Sequence, residues 1–205
     1  MKFYLSSYGL GNEADKLKDL APYKKIGYIP NARDFTGADP ERKAKRSEKD
    51  MNSLQELGLE VEMLDLREYF EKIESLVSKL DDMGAIFISG GNTFVLRQAM
   101  KLSGLDDFLK KNKDNKNFLY AGYSAAGCVL ASSLKGMDLV DPLDTPYSEQ
   151  KEIILEGLGL VDFRFMPHFQ SDHPESANVE KEIEYCKQNN IIYRTVRDGE
   201  VIIIS

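Results

Sequence analysis

Histidine is scarce in this chain, with two residues in 205, and cysteine is equally rare. The two thiols, Cys128 and Cys186, lack C-x-x-C spacing and are too few for a disulfide framework, so they read as buried thiols. No apolar run approaches the length of a membrane span. The opening Met1-Lys2-Phe3-Tyr4-Leu5-Ser6-Ser7-Tyr8-Gly9 turns polar too early for a secretory signal and has no small-residue cleavage site. The expectation is a cytoplasmic chain without a membrane partner. Positive charge is also short, the formal net charge being −7. Binding to a phosphate backbone needs clustered Lys and Arg that displace counterions, which argues against nucleic acid. The basic run Arg42, Lys43, Lys45, Arg46 is interleaved with Glu41, Glu48 and Asp50 and reads as a solvated helix face. Repeats, low-complexity tracts and composition breaks are missing too. With 42% hydrophobic residues, residues 1–205 are expected to form a single domain around one sizeable core.

What is present is an alternation of short apolar, β-branched runs with longer segments of helical period, the pattern of an α/β fold on a mostly parallel sheet. Strands are predicted at 2–6, 25–30, 60–65, 85–89, 118–122, 164–166, 191–196 and 201–204. The last two flank Arg197-Asp198-Gly199-Glu200, whose Asp-Gly pair predicts a hairpin. Apolar spacing predicts amphipathic helices through Ala44, Met51 and Leu54, through Phe70, Ile73, Val77 and Leu80, and through Val179, Ile183 and Cys186. Residues 139–152, with two prolines and four acidic residues, read as a surface loop of the kind that borders active sites.

Chemistry concentrates at Ala121-Gly122-Tyr123-Ser124-Ala125-Ala126-Gly127. A buried strand runs into Ser124 and a helix starts at Ala125, so the serine sits on a sharp turn above the sheet edge. Free helix N–H groups are aimed there, which suits a nucleophile whose adduct is negative. Gly122, Ala125, Ala126 and Gly127 supply the small neighbours that such a turn requires. The match to G-x-S-x-G is incomplete, because Ala126 holds the second glycine position. A plain helix cap is the competing explanation for Ser124.

A serine hydroxyl needs a base that titrates near neutrality, and only His168 and His173 are available. His168 follows a predicted strand, at the kind of edge where catalytic groups gather, whereas His173 sits in the turn beyond. His168 is therefore the expected base. Metal binding by His168, Asp172 and His173 is disfavoured, since catalytic zinc draws rigid ligands at i, i+4 on a helix or from separate strands. No cofactor or metal is expected. Strand 85–89 runs into Gly90-Gly91-Asn92-Thr93, and N–H groups of Gly90 or Gly91 together with Ala125 could form an oxyanion hole. An ordinary turn capped by Asn92 would look the same.

Together, Gly90-Gly91-Asn92-Thr93-Phe94, Gly122-Tyr123-Ser124-Ala125, Pro167-His168-Phe169 and Tyr28-Ile29-Pro30-Asn31-Ala32 resemble, in order and spacing, the peptidase E family of serine peptidases. The resemblance implies a three-layer α/β/α sandwich with a mostly parallel sheet, flavodoxin-like and similar to the glutaminase domain of class I amidotransferases. It implies Ser124 as nucleophile, His168 as base and the Gly90-Gly91 turn in the oxyanion hole. It also implies a small peptide substrate, with an N-terminal aspartate in the best-known members. Three departures stand out. The elbow reads Ser-Ala-Ala-Gly rather than the family's Ser-Ala-Gly-Ala. The family's acid precedes a Val-Asp-Pro stretch, matched by Val140-Asp141-Pro142, but its position falls on Gly136, so Asp138 is the expected substitute and Asp141 the next choice. Finally, the arginine segment that follows the family's histidine is missing from 175–184.

Two rival functions remain. A small α/β-hydrolase esterase shares the elbow but places its histidine near the chain end, whereas strands are predicted after His168. A silent family member would bind an acidic amino acid or peptide without turnover. A monomer or homodimer is expected.

Overall fold

The computed structural model describes all residues, 1–205. In chain order the elements are β1 (Lys2–Ser6), α1 (Ala14–Leu20), β2 (Lys25–Ile29), α2 (Pro40–Glu56), β3 (Glu60–Met63), α3 (Ile73–Met83), β4 (Ala85–Ile88), α4 (Thr93–Ser103), α5 (Leu105–Lys111), β5 (Leu119–Tyr123), α6 (Ala125–Cys128), β6 (Arg164–Met166), α7 (Ser176–Gln188), β7 (Tyr193–Thr195) and β8 (Val201–Ile204). Six strands form one sheet in the order β3-β2-β4-β5-β1-β8, all parallel except β8, which runs antiparallel to β1.

Alternation along a strand sends successive side chains to opposite faces, and β4 shows the consequence. Ile86 and Ile88 enter a core of 33 buried residues with α3, α4 and α5, while Ala85 and Phe87 enter a core of 11 with Leu17 of α1 and Leu54 of α2. Helices thus cover both faces, giving the expected three-layer α/β/α sandwich around a mostly parallel sheet. No helix is long and apolar enough to cross a membrane.

Several local expectations shift. The 201–204 strand does not form a hairpin with 193–195: β7 pairs in parallel with β6 in a separate two-stranded sheet, and β8 pairs with β1. The Asp-Gly sequence makes a tight turn, with the Glu200 N–H donating to the Arg197 carbonyl at 2.9 Å, but it links two sheets. The helix after Ser124 is only the single turn α6. In α2, Ala44 is exposed and Ser47 faces inward, its hydroxyl accepting from buried Arg33 at 3.3 Å. In α3, Ile73 is exposed, and Leu76, Leu80 and Met83 carry the buried stripe.

The carboxyl edges of β1, β4 and β5, adjacent in the order β4-β5-β1, carry Ser7, Gly90-Gly91 and Ser124 to one rim. That crevice is where open parallel sheets expose their loops and free backbone groups.

Candidate active site

β5 ends at Tyr123, and Ser124 reverses the chain with φ 49° and ψ −110°, a region that side chains rarely occupy. Such backbone costs about 1–3 kcal/mol and persists only where the surroundings enforce it. The Ser124 N–H donates to the Ser6 carbonyl at 3.2 Å, and its own carbonyl accepts from Gly127 and Cys128, at 2.8 and 3.1 Å. Close packing explains the small neighbours. A Cβ on Gly122 would lie 2.5 Å from the Ile88 carbonyl oxygen, and one on Gly90 would lie 2.6 Å from the Tyr123 ring. Behind the turn, buried Arg33 donates to the hydroxyls of Tyr28 (2.8 Å) and Tyr123 and to Asp50 (2.6 Å), fixing the residue that precedes Ser124.

His168 follows β6, is 1% exposed and also has a positive φ, 58°. Its Nε2 lies 3.3 Å from Ser124 Oγ and its Nδ1 lies 2.7 Å from Asp198 Oδ1. An ionised carboxylate only accepts, so Nδ1 carries the proton and the Nε2 lone pair faces the serine. Burial pulls the His168 pKa below the usual histidine value, and the neighbouring His173 adds to the effect against the opposing pull of Asp198. The ring is therefore held neutral and able to accept a proton at pH 7.

The carboxylate that meets His168 is not the expected one. Asp138 is exposed on the helical turn Met137–Leu139 and makes no hydrogen bond or ion pair. Asp141 accepts from the Thr93 N–H at 2.8 Å and so satisfies the first turn of α4. Asp198 is the carboxylate on His168, presented by the Arg197–Glu200 turn. Its N–H donates to Ser171 Oγ at 2.9 Å, and Ser7 Oγ donates to its Oδ1 at 2.7 Å. The buried Ser7 hydroxyl in turn accepts the His168 N–H at 2.8 Å, joining the β1 edge to both residues. Neither Asp198 nor Ser7 was singled out from the sequence. The Asp-Gly pair marks a turn, but its place in the site depends on β7 and β8 entering different sheets.

Gly91 has φ 151°, and a Cβ there would lie 2.2 Å from the Ala32 carbonyl oxygen. Only glycine fits this close approach. The N–H groups of Gly90 and Gly91 have no acceptor in the protein, and Ala125 opens α6, where a helix leaves its first N–H unpaired. Three free donors thus flank Ser124.

His173 stacks on His168 with ring centroids 3.7 Å apart and planes 12° apart. Its Nδ1 accepts the Glu175 N–H at 3.3 Å, and a Glu175 carboxylate oxygen lies 4.0 Å from His168 Nε2. His168, His173 and Glu175 bring donor atoms within 4.8 Å of one another, and Asp172 is not among them. Imidazole binds a metal in its ring plane. Two stacked rings keep their lone pairs in parallel planes, so this arrangement does not converge on one ion. A hydroxyl, a neutral imidazole and a carboxylate in series, beside unpaired N–H groups, can instead move a proton and stabilise an oxyanion.

Comparison with known proteins bears on the family and the fold. Residues 10–205 match the family model described as peptidase family S51. The chain is 29% identical over 142 residues to the uncharacterized peptidase Lmo0363 of Listeria monocytogenes, which covers 68% of this chain and 65% of that one. It is 30% identical over 128 residues to peptidase E of Streptomyces coelicolor, covering 60% of this chain and 49% of that one. The matched stretches therefore span about half to two thirds of these relatives' lengths. Among solved structures, a Listeria monocytogenes EGD-e protein provisionally named peptidase E superposes with a TM-score of 0.71 at 23% identity, over 99% of this chain and 97% of that one. At that identity the likeness speaks for the fold.

Proposed function

Because the chain belongs to peptidase family S51, the peptidase E family of serine peptidases, we propose that it hydrolyses short peptides, dipeptides included, through an acyl-enzyme on Ser124. His168 Nε2 removes the Ser124 proton as Oγ attacks the scissile carbonyl carbon. Negative charge moves to the carbonyl oxygen, which takes hydrogen bonds from the N–H groups of Ala125 and the Gly90-Gly91 turn. The imidazolium formed is stabilised by Asp198 and returns its proton to the leaving amine as the C–N bond breaks. Water then repeats the sequence: His168 takes its proton, hydroxide adds to the ester, and Ser124 leaves reprotonated.

The observation that carries this reading is the line Asp198–His168–Ser124, with contacts of 2.7 and 3.3 Å. The second contact is long for a hydrogen bond, as such contacts often are before substrate tightens them. Positive φ at both Ser124 and His168 fits a site held under strain for function. A dipeptide library assayed with wild type and Ser124→Ala tests the proposal. Turnover by wild type and its loss by at least about 1000-fold in the variant is expected; equal turnover by both proteins would refute it.

A further inference from the structure

Beside His168 lies a second imidazole that takes no part in the proton transfers. His173, in the turn between β6 and α7, lies flat on the His168 ring, with centroids 3.7 Å apart and planes 12° apart. Tyr8, two residues beyond β1, flanks the stack, its ring centroid 6.3 Å from His168 and 6.1 Å from His173. A histidine in an exposed turn is ordinarily free to rotate, but this one is held. Its Nδ1 accepts the Glu175 N–H at 3.3 Å, so the neutral ring carries its proton on Nε2.

Charge on one ring opposes charge on the other at this separation, so the pair resists a second proton. Other groups act on His173 from the elements around it. The Glu175 carboxylate lies 3.8 Å from its Nδ1, and Asp198, in the turn before β8, favours the charged ring. Burial is the strongest influence and opposes charge, as does the guanidinium of Arg46 on α2. The balance holds the His173 pKa below the usual histidine value, so the ring is neutral at pH 7.

A neutral ring in this place serves its neighbour in three ways. It keeps water from one face of His168, which disfavours charge at rest. It resists rotation of the His168 ring about its Cβ–Cγ bond, which would break the stack and swing Nε2 away from Ser124. When His168 takes the Ser124 proton, the imidazolium meets the π face of His173, a favourable placement for a cation. Resting on the peptidase reading above, we propose that His173 is a positioning residue for the base: it covers His168, fixes its plane toward Ser124 and supports the transient imidazolium.

The test compares full-length wild type, His173→Ala and His173→Phe. The His173 side chain is 24% exposed, and phenylalanine retains a ring to stack. Fluorophosphonate labelling of Ser124 at pH 8, where His168 is neutral, is expected to slow about 10-fold in His173→Ala and to recover most of that loss in His173→Phe. NMR titration of the His168 ring is expected to show its pKa rising by about one unit in His173→Ala, as water reaches the uncovered face, and by less in His173→Phe. A wild-type labelling rate and an unshifted His168 pKa in His173→Ala would overturn the assignment, as would His173→Phe behaving no better than His173→Ala. Failure of wild type to label would instead count against Ser124 as a nucleophile, while the NMR titration still decides whether His173 governs the state of His168.

Discussion

Asp198 Oδ1 lies 2.7 Å from His168 Nδ1 and accepts the Ser7 hydroxyl at the same distance. One carboxylate oxygen therefore joins two loops that leave different strands. It fixes the imidazole tautomer with Nε2 toward Ser124, which a base requires.

Asp198→Asn is expected to lower kcat by about 100-fold or more, because an amide no longer stabilises the imidazolium and can select the wrong tautomer. Asp138→Asn, at an exposed carboxylate without partners, is expected to behave as wild type. Steady-state kinetics on one dipeptide compares them. A large loss at Asp138 with none at Asp198 would reassign the acid.

Ser7 acts through its neighbours. Removing its hydroxyl leaves the His168 N–H without an acceptor and Asp198 without one donor. A hydrogen bond to a charged group is worth about 1.5–3 kcal/mol, so Ser7→Ala is expected to lower kcat by about 10- to 100-fold with a smaller change in KM. Ser7→Thr, which retains the hydroxyl, is expected to recover part of the loss. Unchanged kcat in Ser7→Ala would remove Ser7 from this role.

The pH profile follows from His168. Turnover needs the neutral ring, whose fraction falls as pH drops through its pKa, and burial places that pKa below the usual 6.5. The acidic limb of kcat/KM is therefore expected to have its midpoint below 6.5. A midpoint above 7 would mean that the buried ring is favoured in its charged form.

Gly91→Ala is expected to damage both fold and activity. Its Cβ would stand 2.2 Å from the Ala32 carbonyl oxygen at a φ of 151°. A substitution that the backbone cannot accept costs more than about 1 kcal/mol, or about 2–4 °C in Tm for a chain of this size. Thermal unfolding beside kinetics checks it, and a wild-type Tm would show that the turn yields.

The elbow, the β4 glycine turn and the histidine were legible because each is local, with its strand and turn contiguous in sequence. Asp198 was not, because an Asp-Gly pair between two β-rich runs specifies a turn without specifying which strands it joins. The separate pairing of β7 with β6 sends that turn over His168. Asp138 was suggested by its distance from Val140-Asp141-Pro142, but sequence distance carries no information on the side to which a short helical turn points. Arg33 was missed for a related reason. A lone arginine after a strand reads as solvated, and its burial emerges only when Tyr28, Asp50 and Tyr123 converge on it.

The most direct test of the central claim is intact-mass analysis after treatment with a fluorophosphonate, which reacts only with an activated hydroxyl. One adduct on wild type, mapped to Ser124 by peptide sequencing, and none on folded Ser124→Ala is the predicted result. An unlabelled wild type, or an adduct that persists in the variant, would contradict it.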